Sequence, residues 1–270
     1  MLTTNSVLLT GASGAGKSTL LRGALEYYGS GLVVLAPGDD EIDSYIGVDG
    51  DSYQYRGFDD IFFHPESKEW NASGHSDMVA WLKQRYMEVK SDVDSNKEPR
   101  YKVLAVDTIS AIGRLAYNAT LAKFKYTEPP PSISPTGASF YGYLRITLES
   151  GIRLQRAIRG LGVHWIVASH PTEADVTPIQ ALGAAKSKIM PDLPGGLKNV
   201  LPSYFTTVLD VGIGQNNKHY VQWAGDPKRV TKSRLGPLSA TGKIELPTGS
   251  KESWTVIADA LDVARAKLGG

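Results

Sequence analysis

The chain has 270 residues, 41% of them hydrophobic and 21% charged, which matches an ordinary soluble domain with a full buried core. A formal net charge of +1 supplies no global field to draw in nucleic acid, so any such partner must be held by local patches, and the absence of cysteine excludes disulfides, thiolate catalysis and thiolate zinc sites together. The N-terminal MLTTNSVLL lacks a basic leader region and no stretch approaches the roughly 20 apolar residues of a bilayer span, so a cytoplasmic protein without membrane contact is expected.

The apolar run 6–10 is predicted to be a strand, and it leads into GASGAGKST at 11–19 and then a helical pattern. Strand, glycine loop and helix are the context in which G-x-x-x-x-G-K-[ST] becomes a phosphate cradle. Gly11, Ala12, Ser13, Gly14, Ala15, Gly16 and Thr19 supply the loop, Lys17 reaches the β and γ phosphates, and the Ser18 hydroxyl ligates Mg²⁺. ATP and Mg²⁺ are therefore the expected cofactors. A second strand over 32–36 runs into Asp39, Asp40 and Glu41, an acidic turn that either faces the γ phosphate or is a solvated loop. Residues 44–57 read as an irregular excursion, with Tyr45 either packed on the surface or stacking on a base, and 61–64 as a short strand. A helix capped by Asp77 follows; His64 and His75 read as structural or solvated.

The continuous apolar strand 103–106 closes on Asp107, the arrangement a Mg²⁺ site needs beside a P-loop. The next residue is Thr108, so no adjacent Asp-Glu pair supplies a base. Helix 109–124 precedes the proline-rich TEPPPSISPTG, which is predicted to be extended. Helix 140–159 carries Arg153, Arg156 and Arg159 at three-residue spacing, a stripe that either tracks phosphate or is a solvated face. Strand 163–169 ends in His170, placed to sense the γ phosphate, while His164 inside it reads as a core side chain. The long segment 171–202 reads as a mobile binding element. Strand 204–213 is followed by an expected hairpin of 219–223 with 229–233, whose second arm projects Lys232 and Arg234 from one face. A C-terminal helix is expected over 251–268.

GASGAGKST, VLAVDTIS, a strand ending in SH and KSRLGP come in the order of parts of the RecA-like ATPase core, which this chain resembles over roughly 5–240. KSRLGP is similar to the lysine-arginine motif of RadA and the DnaB-type helicases, and the whole is similar to phage P-loop proteins of the Sak-type single-strand annealing kind. That resemblance implies one α/β domain over 1–270, a three-layer α/β/α P-loop fold with a mostly parallel sheet and a C-terminal antiparallel hairpin; with the P-loop already at residue 11, no preceding domain is expected. It implies Asp107 as the Walker B carboxylate, His170 as γ-phosphate sensor, Lys232 and Arg234 acting on a neighbouring protomer's nucleotide, and Glu41 as nearest candidate for the water-activating carboxylate. It further implies a homo-oligomer, ring or filament, binding single-stranded DNA through loops 125–139 and 171–203, with Tyr126, Phe140, Tyr141 and Tyr143 as stacking candidates and a single-strand DNA-binding protein as a further partner. Such a protein would work in phage recombination, in the bacterial host cytoplasm. A small-molecule kinase, a DnaB-like helicase or packaging motor, and a non-hydrolysing nucleotide module are the alternative readings.

Overall fold

Ser6–Thr10 forms β1, and all five of its residues are buried, the signature of a strand covered on both faces. The computed structural model describes residues 4–35, 44–45, 47–54, 63–64, 69–70, 73–175, 187–224 and 228–269. After β1 come α1 (Lys17–Tyr28), β2 (Gly31–Leu35), β3 (Gly50–Gln54), the two-residue strands β4 (Phe63–His64) and β5 (Glu69–Trp70), and α2 (Ser73–Asp94). Then follow β6 (Val103–Asp107), α3 (Ile109–Phe124), α4 (Pro135–Gly160), β7 (His164–Ser169), β8 (Pro171–Asp175) and β9 (Ser187–Pro191). A short α5 (Leu197–Val200), β10 (Thr207–Ile213), β11 (His219–Gln222), β12 (Lys232–Ser233), β13 (Lys243–Glu245) and α6 (Ser250–Gly269) complete the described elements.

The main sheet runs β13-β11-β10-β1-β7-β6-β2-β3, with β12 paired to β10. β10, β1, β7, β6, β2 and β3 are parallel, and β11, β12 and β13 add an antiparallel flank. Alternation splits the core: Leu8, Leu104, Val106, Trp165 and Val167 pack with α2, α3 and α4, while Val7, Leu9, Ala105, Ile166 and Ala168 pack with α1 and α6. The result is the expected three-layer α/β/α P-loop fold, with α1 springing from the carboxyl end of the central strand β1. Among the described residues no helix is long and apolar enough to cross a membrane.

Several expectations are corrected. The excursion predicted over 44–57 contains β3, paired in parallel with β2; the strand expected at 61–64 is described only at Phe63 and His64, which pair with Trp70 and Glu69. α2 begins at Ser73, ahead of Asp77, and α4 begins at Pro135, whose fixed φ suits the first turn behind the Ser134 cap; loop 125–139 therefore ends in helix. The predicted hairpin of 219–223 with 229–233 does not form. β11 lies between β10 and β13, and β12 lies beside the start of β10, so both run along one edge of the same strand. Within the described part of segment 171–203, β8 and β9 pair antiparallel, and α5 and a 3-10 turn at Leu201–Tyr204 lead into β10.

Candidate nucleotide-binding site

Thr10, the last residue of β1, lies between Ser169 of β7 and Asp210 of β10. Gly11 then leaves the sheet against β10; a Cβ there would sit 2.4 Å from the Val211 carbonyl oxygen, so no other residue fits without a shift. Gly14 and Gly16 take φ of 76° and 99°, the left-handed region open to glycine, and Gly16 caps α1. The loop thereby delivers the orphan N–H groups and positive dipole end of α1 to a cavity of about 200 Å³ lined by Ser13, Gly14, Gly16 and Lys17–Thr19 on one side. Lys17 is only 5% exposed. Its ammonium donates to the Gly11 and Ala12 carbonyls at 2.8 Å each, which holds a fixed cation under the loop.

The opposite wall is Asp107, Thr108 and His170. Asp107 ends β6, faces the α1 layer by alternation from Val103 and Ala105, and is 1% exposed. Its peptide bond to Thr108 is cis. The Thr108 hydroxyl caps α3 by accepting from the Ala111 N–H. His170 is held by its backbone: its N–H donates to Ser110 Oγ at 3.0 Å and its carbonyl accepts from the Asp192 N–H at 2.8 Å. The imidazole pKa is lowered first by burial, then by Lys17 and the Arg114 guanidinium, so the ring meets the pocket uncharged at neutral pH.

Three contributors escaped sequence reasoning. The Tyr45 hydroxyl donates to Asp107 Oδ2 at 2.9 Å, and both groups are buried; Tyr45 packs inward rather than waiting for a base. Ser110, buried, links the Asp107 side of the pocket to His170. His219 Nδ1 lies 3.0 Å from the Ala15 carbonyl; a carbonyl only accepts, so this nitrogen carries the proton. His219 also walls a second cavity of about 530 Å³, which shares Gly16 and Thr19 with the phosphate-sized one and continues past Leu246, Pro247 and Thr248. A nucleoside needs space of this order. No sequence signal short of the fold joins Ala15 to a residue 204 positions away.

The structure thus brings Lys17, Ser18, Asp107 and His170 together. Glu41, with Asp39 and Asp40, lies outside the described residues. Lys232 and Arg234 are not brought to this pocket. Lys232 pairs with Val208, and the Arg234 N–H donates to the Thr206 carbonyl, about 13 Å down β10 from the level of the P-loop at roughly 3.3 Å per residue. Within the chain they sit toward the sheet's other edge, where the Arg234 guanidinium donates to the Ser203 carbonyl at 2.9 Å. Of the stacking candidates, Phe140 is fully buried and unable to meet a base. Tyr126 stacks on Phe124, and Tyr143 lies under the Lys123 ammonium.

The donor set fits Mg-ATP. Glycine N–H groups and Lys17 suit phosphate oxygens, and the Ser18 hydroxyl and the Asp107 carboxylate are hard oxygen ligands suited to Mg²⁺, whose remaining positions waters and phosphates normally fill. Among the described residues no group of three metal-ligating side chains exists, so such a cation would be held jointly with a nucleotide. When bound, the cation would neutralise phosphate charge; the chain itself orients the triphosphate with Lys17 and the loop amides and presents a neutral His170. Asp107 is the only carboxylate lining this cavity among the described residues.

No curated protein matches the chain. Among solved structures it is similar to a KaiC-like protein from the hyperthermophilic archaeon Pyrococcus horikoshii OT3, at 17% identity, with 92% of this chain and 88% of that one covered and a TM-score of 0.39. A family model described as an AAA domain matches residues 3–235, and with its P-loop and the facing carboxylate in place the chain belongs to that family.

Proposed function

We propose that this protein is a cytoplasmic ATPase of the RecA-like kind that uses bound nucleotide to control its grip on single-stranded DNA, in the service of annealing or strand exchange in phage recombination. The observation that carries the nucleotide half is the single cavity into which Lys17, Ser18, Asp107 and His170 converge, beside a nucleoside-sized one that shares Gly16 and Thr19 as lining. The DNA half rests on connectivity. His170 is hydrogen-bonded through Ser110 and Asp192 to the start of α3 and the end of the β8–β9 pair, so a γ phosphate that draws the imidazole pulls on segment 171–203. Loss of that phosphate releases it, an order-disorder switch. Loop 125–139 stands at the far end of α3 as the second contact.

Lys232 and Arg234 reach a nucleotide in this scheme only from a neighbouring copy, because their own P-loop lies toward the other end of the sheet. That makes the active form a homo-oligomer. Arg234→Ala is expected to leave ATP binding by dilute protein unchanged and to lower turnover of the assembly by ~10³-fold or more, the worth of an arginine finger. Equal loss of both would place the arginine in cis. The base is supplied by the acidic turn at 39–41 in this account. The acidic turn 39–41 departs from the family's glutamate pattern, and that departure favours one other reading, a nucleotide-bound module that does not hydrolyse. Turnover measured with and without single-stranded DNA separates the two; negligible turnover unchanged by DNA would reject the motor.

A further inference from the structure

The arginine stripe of α4 ends in a recess. Arg153, Arg156 and Arg159 line a cavity of about 580 Å³ together with Thr4, Ala157, Gly160 and Gly162, and no carboxylate lines it among the described residues. It lies where α4 ends before β7 and where the chain enters β1, toward the opposite edge of the sheet from the P-loop. Arg156 is set in place, its guanidinium 4.6 Å over the Tyr204 ring. Arg159 Nε is buried and makes no hydrogen bond. Burial and the neighbouring Arg156 cation both disfavour its charge, and no counter-ion to the pair is found among the described residues. From Arg153 at the rim of the recess the same helix runs back to Arg145 outside it, both exposed and both hydrogen-bonded to Glu149, the one acid among them. From Arg145 to Arg159 the line runs about 21 Å at 1.5 Å per residue.

We propose that this recess and the arginine line leading to it bind the phosphodiester backbone of a single nucleic-acid strand, at a site separate from the nucleotide pocket and from loops 125–139 and 171–203. A guanidinium whose buried Nε has no hydrogen-bond partner among the described residues, next to a second guanidinium, is stabilised by an oxyanion able to take two parallel N–H donors, as a phosphate is. The length of the line calls for successive phosphates, and a flexible strand can follow it from the exposed Arg145 down to the recessed Arg159. This deepens the strand-binding half of the proposed function without resting on hydrolysis.

The test is anisotropy of a labelled oligothymidylate titrated with the full chain, without nucleotide, over a salt series. Arg156→Ala/Arg159→Ala should weaken binding at least tenfold and lower the salt slope by about 1.4, the share of two phosphates at ~0.7 each, with ATP affinity unchanged. Arg153→Glu, an exposed change that leaves the core untouched, should weaken it at least as much, and Arg156→Lys/Arg159→Lys should recover only part. Strand binding equal in parent and variants would overturn this site while leaving the proposed function standing. A parent that binds no strand would overturn both. Saturable pyrophosphate binding lost in Arg159→Ala, with strand affinity unchanged, would show a small-anion site and overturn the strand assignment.

Discussion

Tyr45→Phe deletes one oxygen, the donor to Asp107 Oδ2 at 2.9 Å. Tyr45 is 8% exposed and Asp107 is 1% exposed, so water does not replace the lost donor. A hydrogen bond to a charged group is worth about 1.5–3 kcal/mol, and about 2–4 °C of Tm accompanies each kcal/mol in domains approaching this size. The nucleotide-free variant should therefore melt about 3–12 °C below the parent. The cause is isolated by repeating the change in an Asp107→Ala background, where Tyr45→Phe should cost less than ~0.5 kcal/mol. Urea unfolding of the four proteins gives the coupling directly. The reasoning is refuted if Tyr45→Phe melts with the parent, or if it costs as much without Asp107 as with it.

Acid should destabilise the fold before any carboxylate titrates. Burial lowers His75 and His164 from an ordinary 6.5 to about 4 each, so both are neutral in the native state and the unfolded chain takes up more protons below pH 6.5. The contribution of these histidines is complete above that pH and falls as pH drops toward 4, by up to about 1.4 kcal/mol per pH unit per histidine; thermal melts across this range check it, and His75→Leu should flatten the slope without abolishing it, because His164 and His170 are lowered too. Gly23→Ala places a Cβ 2.0 Å from the Ser250 backbone oxygen, which must push α6 off α1 at a cost of about 1–3 kcal/mol; an unchanged melting temperature would contradict that packing.

What was legible in the sequence was contiguous in it. The P-loop, the strand closing on Asp107 and the strand ending at His170 each declare themselves within about ten residues, because a buried parallel strand is a continuous apolar run and its carboxyl end carries the ligand edge. What was not legible depends on partners far away in the chain. Tyr45 finds Asp107 across 62 residues and His219 finds Ala15 across 204, and neither pairing leaves a local pattern. β3, with sequence GDSYQ, hides because a strand at the end of the sheet needs no apolar run. The misread hairpin follows from taking the nearest turn as the connection. Segment 228–230 instead departs to bond with Ile189 of β9, the Arg229 guanidinium pairs with the buried Asp210 carboxylate, and the partner of β11 comes from Lys243–Glu245 beyond it. Lys232 and Arg234 were recognisable as a motif, but which edge of the sheet they occupy is set by that excursion.

The most direct test of the account is calorimetric titration of Mg-ATP into the parent and into Lys17→Ala, with melting curves to confirm that both are folded. One saturable site per chain in the parent, weakened about 10- to 150-fold in Lys17→Ala by loss of a charge-assisted contact of roughly 1.5–3 kcal/mol, is the predicted result. A folded parent that takes up no nucleotide, or a folded Lys17→Ala that binds it equally well, would contradict it.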